Sequence, residues 1–220
     1  MKKLLTLAIW AISLLILQWC GTATHPQGDQ YITITTDYGT MEAVLYDSTP
    51  AHRDNFIKLA EEGFYNDLLF HRVIQGFMIQ WGDPDSRDAP AWASLGRWGP
   101  WYQIDAEIGQ PHFKGTLAAA RTGGPSNPEK KSSGSQFYIV QWTPQTTQSL
   151  AQHEAQKWIT YTPEQQARYI EQGGTPMLDN EYTVFGEVTV WLDVIDAIAA
   201  VQTAPGDRPV QDVKMQISVK

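Results

Sequence analysis

The stretch Phe70-His71-Arg72-Val73-Ile74-Gln75-Gly76-Phe77-Met78-Ile79-Gln80-Trp81-Gly82-Asp83-Pro84 constrains this chain more than any other. Arg72 sits among Phe70, Val73 and Ile74, so its segment reads as a strand. Gly76 permits a sharp bend after it. Beyond the bend come two large apolar side chains and a glutamine: Phe77, Met78 and Gln80. A guanidinium beside an apolar pocket suits a greasy substrate that carries one amide to be polarised, and proline within a peptide fits that description. His71 lies on the opposite strand face from Arg72 and is expected to be packed, not catalytic.

Two later segments keep company with the first. Gly115-Thr116-Leu117-Ala118-Ala119-Ala120-Arg121 leads through a Gly/Pro/Asn loop to Ser133-Gly134-Ser135-Gln136-Phe137-Tyr138-Ile139-Val140. Leu178-Asp179-Asn180-Glu181-Tyr182-Thr183-Val184-Phe185-Gly186-Glu187-Val188 follows. In this order the three resemble the cyclophilin family of peptidyl-prolyl cis-trans isomerases, from about Tyr31 to the C-terminus. The resemblance implies a mainly β fold, a closed eight-stranded antiparallel barrel capped by two helices. It also implies a reaction that needs no cofactor, because only rotation about an amide is involved.

By motif position, Arg72, Phe77 and Gln80 form the catalytic group. Phe77, Met78, Tyr138 and Leu178 would wall the proline pocket. Gln80 would orient the arginine or the substrate carbonyl. Gln136, Ala120 and the backbone at Arg121 would hold the residue before proline, with Met177 and Tyr182 at the edge of the site. Alternation puts Gln136 and Tyr138 on one strand face and Phe137 and Ile139 on the other, toward the core. Several positions depart from the family pattern. Tyr138 stands where phenylalanine is usual, Arg121 where asparagine is usual, Ala119 where methionine is usual, and Tyr182 where histidine is common. Met177 replaces a tryptophan whose indole nitrogen donates to cyclosporin. A thioether has no donor, so weak binding of that drug is expected.

The chain has 220 residues, enough for one domain with additions. Its 16 basic and 24 acidic side chains give −8, and losing Lys2 and Lys3 with a leader would take that to −10. Such a balance argues against a nucleic-acid partner. Five histidines and one cysteine show no metal-ligand spacing. Asp83, Asp105 and Glu107 read as loop carboxylates. No phosphate loop or serine-nucleophile motif occurs.

Met1-Lys2-Lys3 followed by the apolar run Leu4 to Leu17 reads as a signal segment, too short for a comfortable membrane span. Cys20, the only cysteine, stands at its end, as in bacterial lipoproteins, although Trp19 is bulkier than the small residue usual there. Residues 1–20 are therefore expected to be a leader with lipidation at Cys20, and residues 21–30 a tether. The domain, residues 31–220, would then be exported and held at the inner or outer membrane, facing the periplasm or the outside. There it would act as a monomer on proline-containing peptides and folding proteins. A proline-peptide scaffold and a chaperone with incidental isomerase activity are the alternatives.

Tyr31-Ile32-Thr33-Ile34-Thr35-Thr36 and Met41-Glu42-Ala43-Val44-Leu45-Tyr46 read as strands around a turn at Asp37-Tyr38-Gly39. Thr49-Pro50 reads as the N-cap and first residue of a helix ended by Gly63. Residues 84–110 read as a loop whose Trp92, Trp98 and Trp101 pack onto the barrel. Residues 143–176 read as a helical insertion, with a capping box at Thr162-Pro163-Glu164-Gln165. Trp191 to Ala200 has helical spacing, and Val213, Met215, Ile217 and Val219 alternate as a closing strand that pairs with the first.

Overall fold

A computed structural model describes residues 27–97 and 99–220. The expected leader with Cys20, most of the tether, and Trp98 lie outside the described residues.

The architecture is a curled antiparallel sheet with four helices. The chain runs β1 (Gln30–Thr36), β2 (Gly39–Leu45), α1 (Pro50–Glu61), β3 (Arg72–Ile74), β4 (Met78–Trp81), β5 (Gln103–Ile104), β6 (Thr116–Ala119), β7 (Ser132–Ser133) and β8 (Phe137–Val140). Then come α2 (Thr147–Lys157), α3 (Pro163–Gln172), β9 (Val184–Val190), α4 (Asp193–Ala199) and β10 (Met215–Val219). Eight strands form one sheet in the order β10-β1-β2-β9-β6-β8-β4-β3, and β5 and β7 pair separately. First and last strands pair as expected, with Ile34 opposite Ile217. Register shifts at Glu42/Ala43 and Leu117/Ala118 bend the sheet. Leu69 and Lys214 form an isolated bridge, and Phe70 N–H donates to the Val213 carbonyl at 3.0 Å.

The strands obey their period of two. In β1, Ile32 and Ile34 are fully buried while Tyr31 and Thr35 are exposed. The central strands β6 and β8 are buried on both faces. One face carries Leu117, Phe137 and Ile139 into the main core, where α1 contributes Phe56 and Leu59 and α4 contributes Ile195 and Ile198. Phe56 packs 4.9 Å from Tyr65 and 4.8 Å from Phe137, ring to ring. The other face carries Met78, Ala118, Tyr138, Val140 and Val184 into a second cluster with Phe77, Leu178 and Tyr182. The alternation read for residues 136–139 is therefore observed, and it places the second cluster outside the main core.

Local expectations met four corrections. Thr49 sits at the N-cap of α1 without capping it, since its hydroxyl donates to the Tyr46 carbonyl instead. The free amides of Ala51 and His52 donate to the carboxylate of Glu107 at 3.1 and 3.0 Å. Glu107 is thus no loose loop carboxylate. It caps α1 from 55 residues away and also meets His52 Nδ1 at 2.6 Å. Asp83, read as another loop carboxylate, is fully buried and accepts from the amides of Asp85 and Gly96. Trp92 and Trp101 do not pack onto the sheet, being 87% and 93% exposed.

The insertion holds two helices. The capping box at Thr162 is present, and Thr146 with Ser149 forms a second that the sequence pattern had not suggested. Each helix buries one residue, Leu150 in α2 and Tyr169 in α3. They join Phe113 and Tyr161 in a small core of their own. Burying one such side chain contributes about 1.5–3 kcal/mol, so each helix is anchored at essentially one point.

Candidate active site

The strand–bend–strand motif has the predicted form. Arg72 lies opposite Gln80 in the β3–β4 hairpin, and Gly76 at the bend has φ +79°. Strand β4 then pairs with β8, which places Gln80 beside Tyr138. Strand β6 brings Ala120 up on the far side of β8, and the segment after α3 brings Leu178 and Tyr182.

These placements converge. Arg72, Phe77, Met78, Gln80, Ala120, Arg121, Tyr138, Leu178 and Tyr182 line one cavity of about 190 Å³. Two expected residues are not in its wall. Gln136 lines an adjoining cavity of about 300 Å³, which shares Gln80, Ala120 and Arg121 with the first. Met177 is 50% exposed and lines neither. It stands in a short 3-10 turn that turns Leu178, not its neighbour, inward.

The polar groups form a line along one wall. Arg72 Nη1 lies 3.5 Å from Gln80 Oε1, at the limit of a hydrogen bond, and Gln80 Nε2 donates to Gln136 Oε1 at 3.0 Å. The Arg72 side chain is 42% exposed and faces the cavity. Its Nε lies 3.4 Å from Asp207 Oδ2. In the sequence Asp207 follows Pro205 and Gly206, a pair that breaks the chain. The structure puts it at φ +66°, with its carbonyl accepting from Val73 N–H. Across the cavity, Arg121 lies 4.6 Å over the Tyr182 ring and donates to the Glu181 carbonyl and carboxylate at 2.7 and 3.0 Å. That second guanidinium is thereby held by protein partners, while Arg72 keeps an open face.

His71 is 4% exposed and does not line the cavity. Burial pulls its ring down to about 4, helped by the charges of Arg72 and Arg208. A histidine depressed in the fold stabilises the protein fully above its unfolded value, 6.5, and that stability is lost as pH falls toward 4. About 3 kcal/mol should disappear over that window. In His71→Leu, urea unfolding is expected to lose this acid sensitivity, with isomerase activity kept within about threefold. An unchanged pH dependence of stability would show that His71 is not its source.

Comparisons with known proteins bear on the family and the fold. The family model described as "Cyclophilin type peptidyl-prolyl cis-trans isomerase/CLD" matches residues 31–219. A Staphylococcus aureus protein named "Putative peptidyl-prolyl cis-trans isomerase" is 32% identical over 191 residues, 86% of this chain and 91% of that one. A Streptococcus pyogenes protein named "Putative bifunctional phosphatase/peptidyl-prolyl cis-trans isomerase" is 36% identical over 187 residues, and the match spans 37% of its length. In fold, the chain is similar to a cyclophilin-type isomerase from Cryptosporidium parvum, with TM-score 0.61, 22% identity, and coverage of 87% of this chain and 98% of that one. A second structure of that protein was determined in the presence of the dipeptide Ala-Pro. With the family model covering nearly every described residue and a relative 32% identical over most of both chains, the chain belongs to the cyclophilin-type peptidyl-prolyl cis-trans isomerases.

Proposed function

We propose that the chain rotates Xaa-Pro bonds in the cavity where Arg72 faces Phe77, Met78, Tyr138 and Leu178, and that it does so for exported proteins at the cell envelope. One observation carries the site assignment. The only guanidinium with an open face among those lining the cavity stands beside its apolar walls. Rotation meets a barrier of ~18–20 kcal/mol because resonance flattens the amide. In the twisted state the prolyl nitrogen recovers its lone pair and accepts a hydrogen bond. A donor aimed there stabilises the transition state and not the planar ground state. Arginine suits this role because it stays charged at working pH and its planar fork is stiff. A gain of ~10⁵-fold corresponds to ~7 kcal/mol.

The apolar walls would seat the proline ring, in keeping with the related fold studied with Ala-Pro. Gln80, in contact with both Arg72 and Gln136, would set the angle of the guanidinium, and Gln136, Ala120 and Arg121 would carry the preceding residue into the adjoining cavity. The Leu69–Lys214 bridge supports reading the curled sheet as a closed barrel. A protease-coupled assay on Ala-Xaa-Pro-Phe peptides tests the reaction. A chaperone acting through the insertion and the tryptophan loop would instead suppress aggregation, and would keep doing so without Arg72.

The envelope location rests on Met1-Lys2-Lys3, the apolar run after it, and Cys20. Cleavage before Cys20 and its lipidation are expected. The two or three acyl chains of a bacterial lipoprotein cysteine would hold the domain to a membrane lastingly, where one chain binds only marginally. Mass spectrometry of the N-terminal peptide from fractionated host cells checks this. A soluble protein with unmodified Cys20, or an intact Met1 terminus, would remove the anchor and leave the isomerase assignment standing.

A further inference from the structure

The wall of the proline cavity is wired to the helical insertion through one buried carboxylate. Asp179 is 4% exposed and follows Leu178 directly. Four donors reach it. His112 gives its backbone N–H and Nδ1 to Oδ1, both at 2.8 Å. Tyr161 and Tyr169 give their hydroxyls to Oδ2 at 2.6 and 2.7 Å. Both tyrosines belong to the insertion, and Tyr169 is the one residue α3 buries. Burial is the main cause that pushes both hydroxyls above their ordinary range, with Asp179 adding to it, so both remain protonated donors.

The network continues on the other side. His112 is fully buried, and its Nε2 lies 3.1 Å from the Tyr138 hydroxyl. In the neutral imidazole with Nδ1–H given to Asp179, Nε2 is the acceptor and Tyr138 donates. The two rings stack nearly parallel, at 13°. Tyr138 is a wall of the proline cavity and 5% exposed. Its hydroxyl is therefore bonded behind the wall, and the ring presents an apolar face to the cavity.

We propose that His112, Asp179, Tyr161 and Tyr169 are positioning residues for Tyr138, so that the insertion fixes the wall against which the substrate proline packs. Three facts point this way. Each helix of the insertion buries a single side chain, in a small cluster apart from the main core. The buried carboxylate draws donors from both the insertion and the segment before β6. The chain of bonds ends on a ring that lines the site. A ring free to shift would loosen the fit to proline in ground and transition states alike, so the effect belongs in KM.

The inference rests on the isomerase assignment, and one experiment separates the two. Steady-state isomerisation of an Ala-Xaa-Pro-Phe peptide is measured for wild type, Tyr169→Phe, Tyr138→Phe and the double variant, with melting temperatures. Tyr169→Phe is expected to raise KM about fivefold with kcat nearly unchanged. In the Tyr138→Phe background the same change should move KM less than about twofold, because the hydroxyl that transmits it is gone. Tyr161→Phe repeats the test if Tyr169→Phe folds poorly. Equal KM effects in both backgrounds, or none in either, would overturn the proposal while wild-type turnover upheld the assignment. An inactive wild type would overturn the assignment itself.

Discussion

Arg72→Ala is expected to give a folded protein whose kcat/KM is reduced about 10²–10³-fold. In the proposed mechanism the loss is large because the guanidinium is the open-faced donor of the cavity, and its bond to the prolyl nitrogen would form only when the amide is twisted. The stability change is small for equally concrete reasons. The side chain is 42% exposed, and its partner Asp207 is 45% exposed at 3.4 Å. Such a pair contributes about 0–1 kcal/mol. The melting temperature should therefore move by no more than a few degrees. A variant that keeps near-wild-type kcat/KM would remove Arg72 from the mechanism. A variant that unfolds would show that the weak ion pair has been undervalued.

Gly82→Ala is expected to be the most damaging single methyl in the sheet. Gly82 follows β4 at φ +97°, where side chains are strained. An added Cβ would also lie 2.0 Å from the Ser135 carbonyl oxygen and 2.9 Å from Gln136 Cα. Backbone on the facing strand cannot yield as a side-chain tip can. Ser135 Oγ donates back to the Gly82 carbonyl at 2.6 Å, which pins the two strands together. The expected loss is about 3 kcal/mol or more, roughly 6–12 °C in melting temperature for a domain of this size. Gly76→Ala serves as the comparison. Its φ is also positive, but the nearest atom to a new Cβ lies 3.8 Å away, so only the strain of about 1 kcal/mol applies. Similar losses at the two positions in thermal unfolding would mean that the close approach at Gly82 relaxes. Activity should fall with stability at Gly82, since the β4–β8 pairing carries both Gln80 and Tyr138.

What the chain revealed before its structure was known follows the range of each contact. The β3–β4 hairpin, the β1–β2 hairpin and the Thr162 capping box are set by residues within a few positions of one another, and all three are observed. The pocket residues came from motif positions of the family, and the cavity unites Arg72, Phe77, Met78, Gln80, Ala120, Arg121, Tyr138, Leu178 and Tyr182. Met177 departs because side-chain direction in a single helical turn is not a property of spacing. The groups whose partners the sequence hides are joined over long separations. Glu107 reaches α1 across 55 residues, Asp179 reaches His112 across 67, and Asp207 reaches Arg72 across 135. Each is a polar residue in a segment that reads locally as a turn or loop. Only the fold supplies its partner. The tryptophan loop fails for another reason. Apolar surface favours burial but names no site for it, and Trp92 and Trp101 remain in water.

Catalysis, as distinct from mere binding of proline, is tested most directly by exchange NMR on an Ala-Xaa-Pro-Phe peptide with a small molar fraction of the protein. Unaided, the cis and trans forms interchange over tens of seconds. Exchange peaks between them are expected at rates far above the spontaneous one, scaling with protein concentration and lost in Arg72→Ala. Peptide signals that shift on adding protein while the cis and trans forms fail to exchange would contradict catalysis, and would leave a proline-binding module in place of an enzyme.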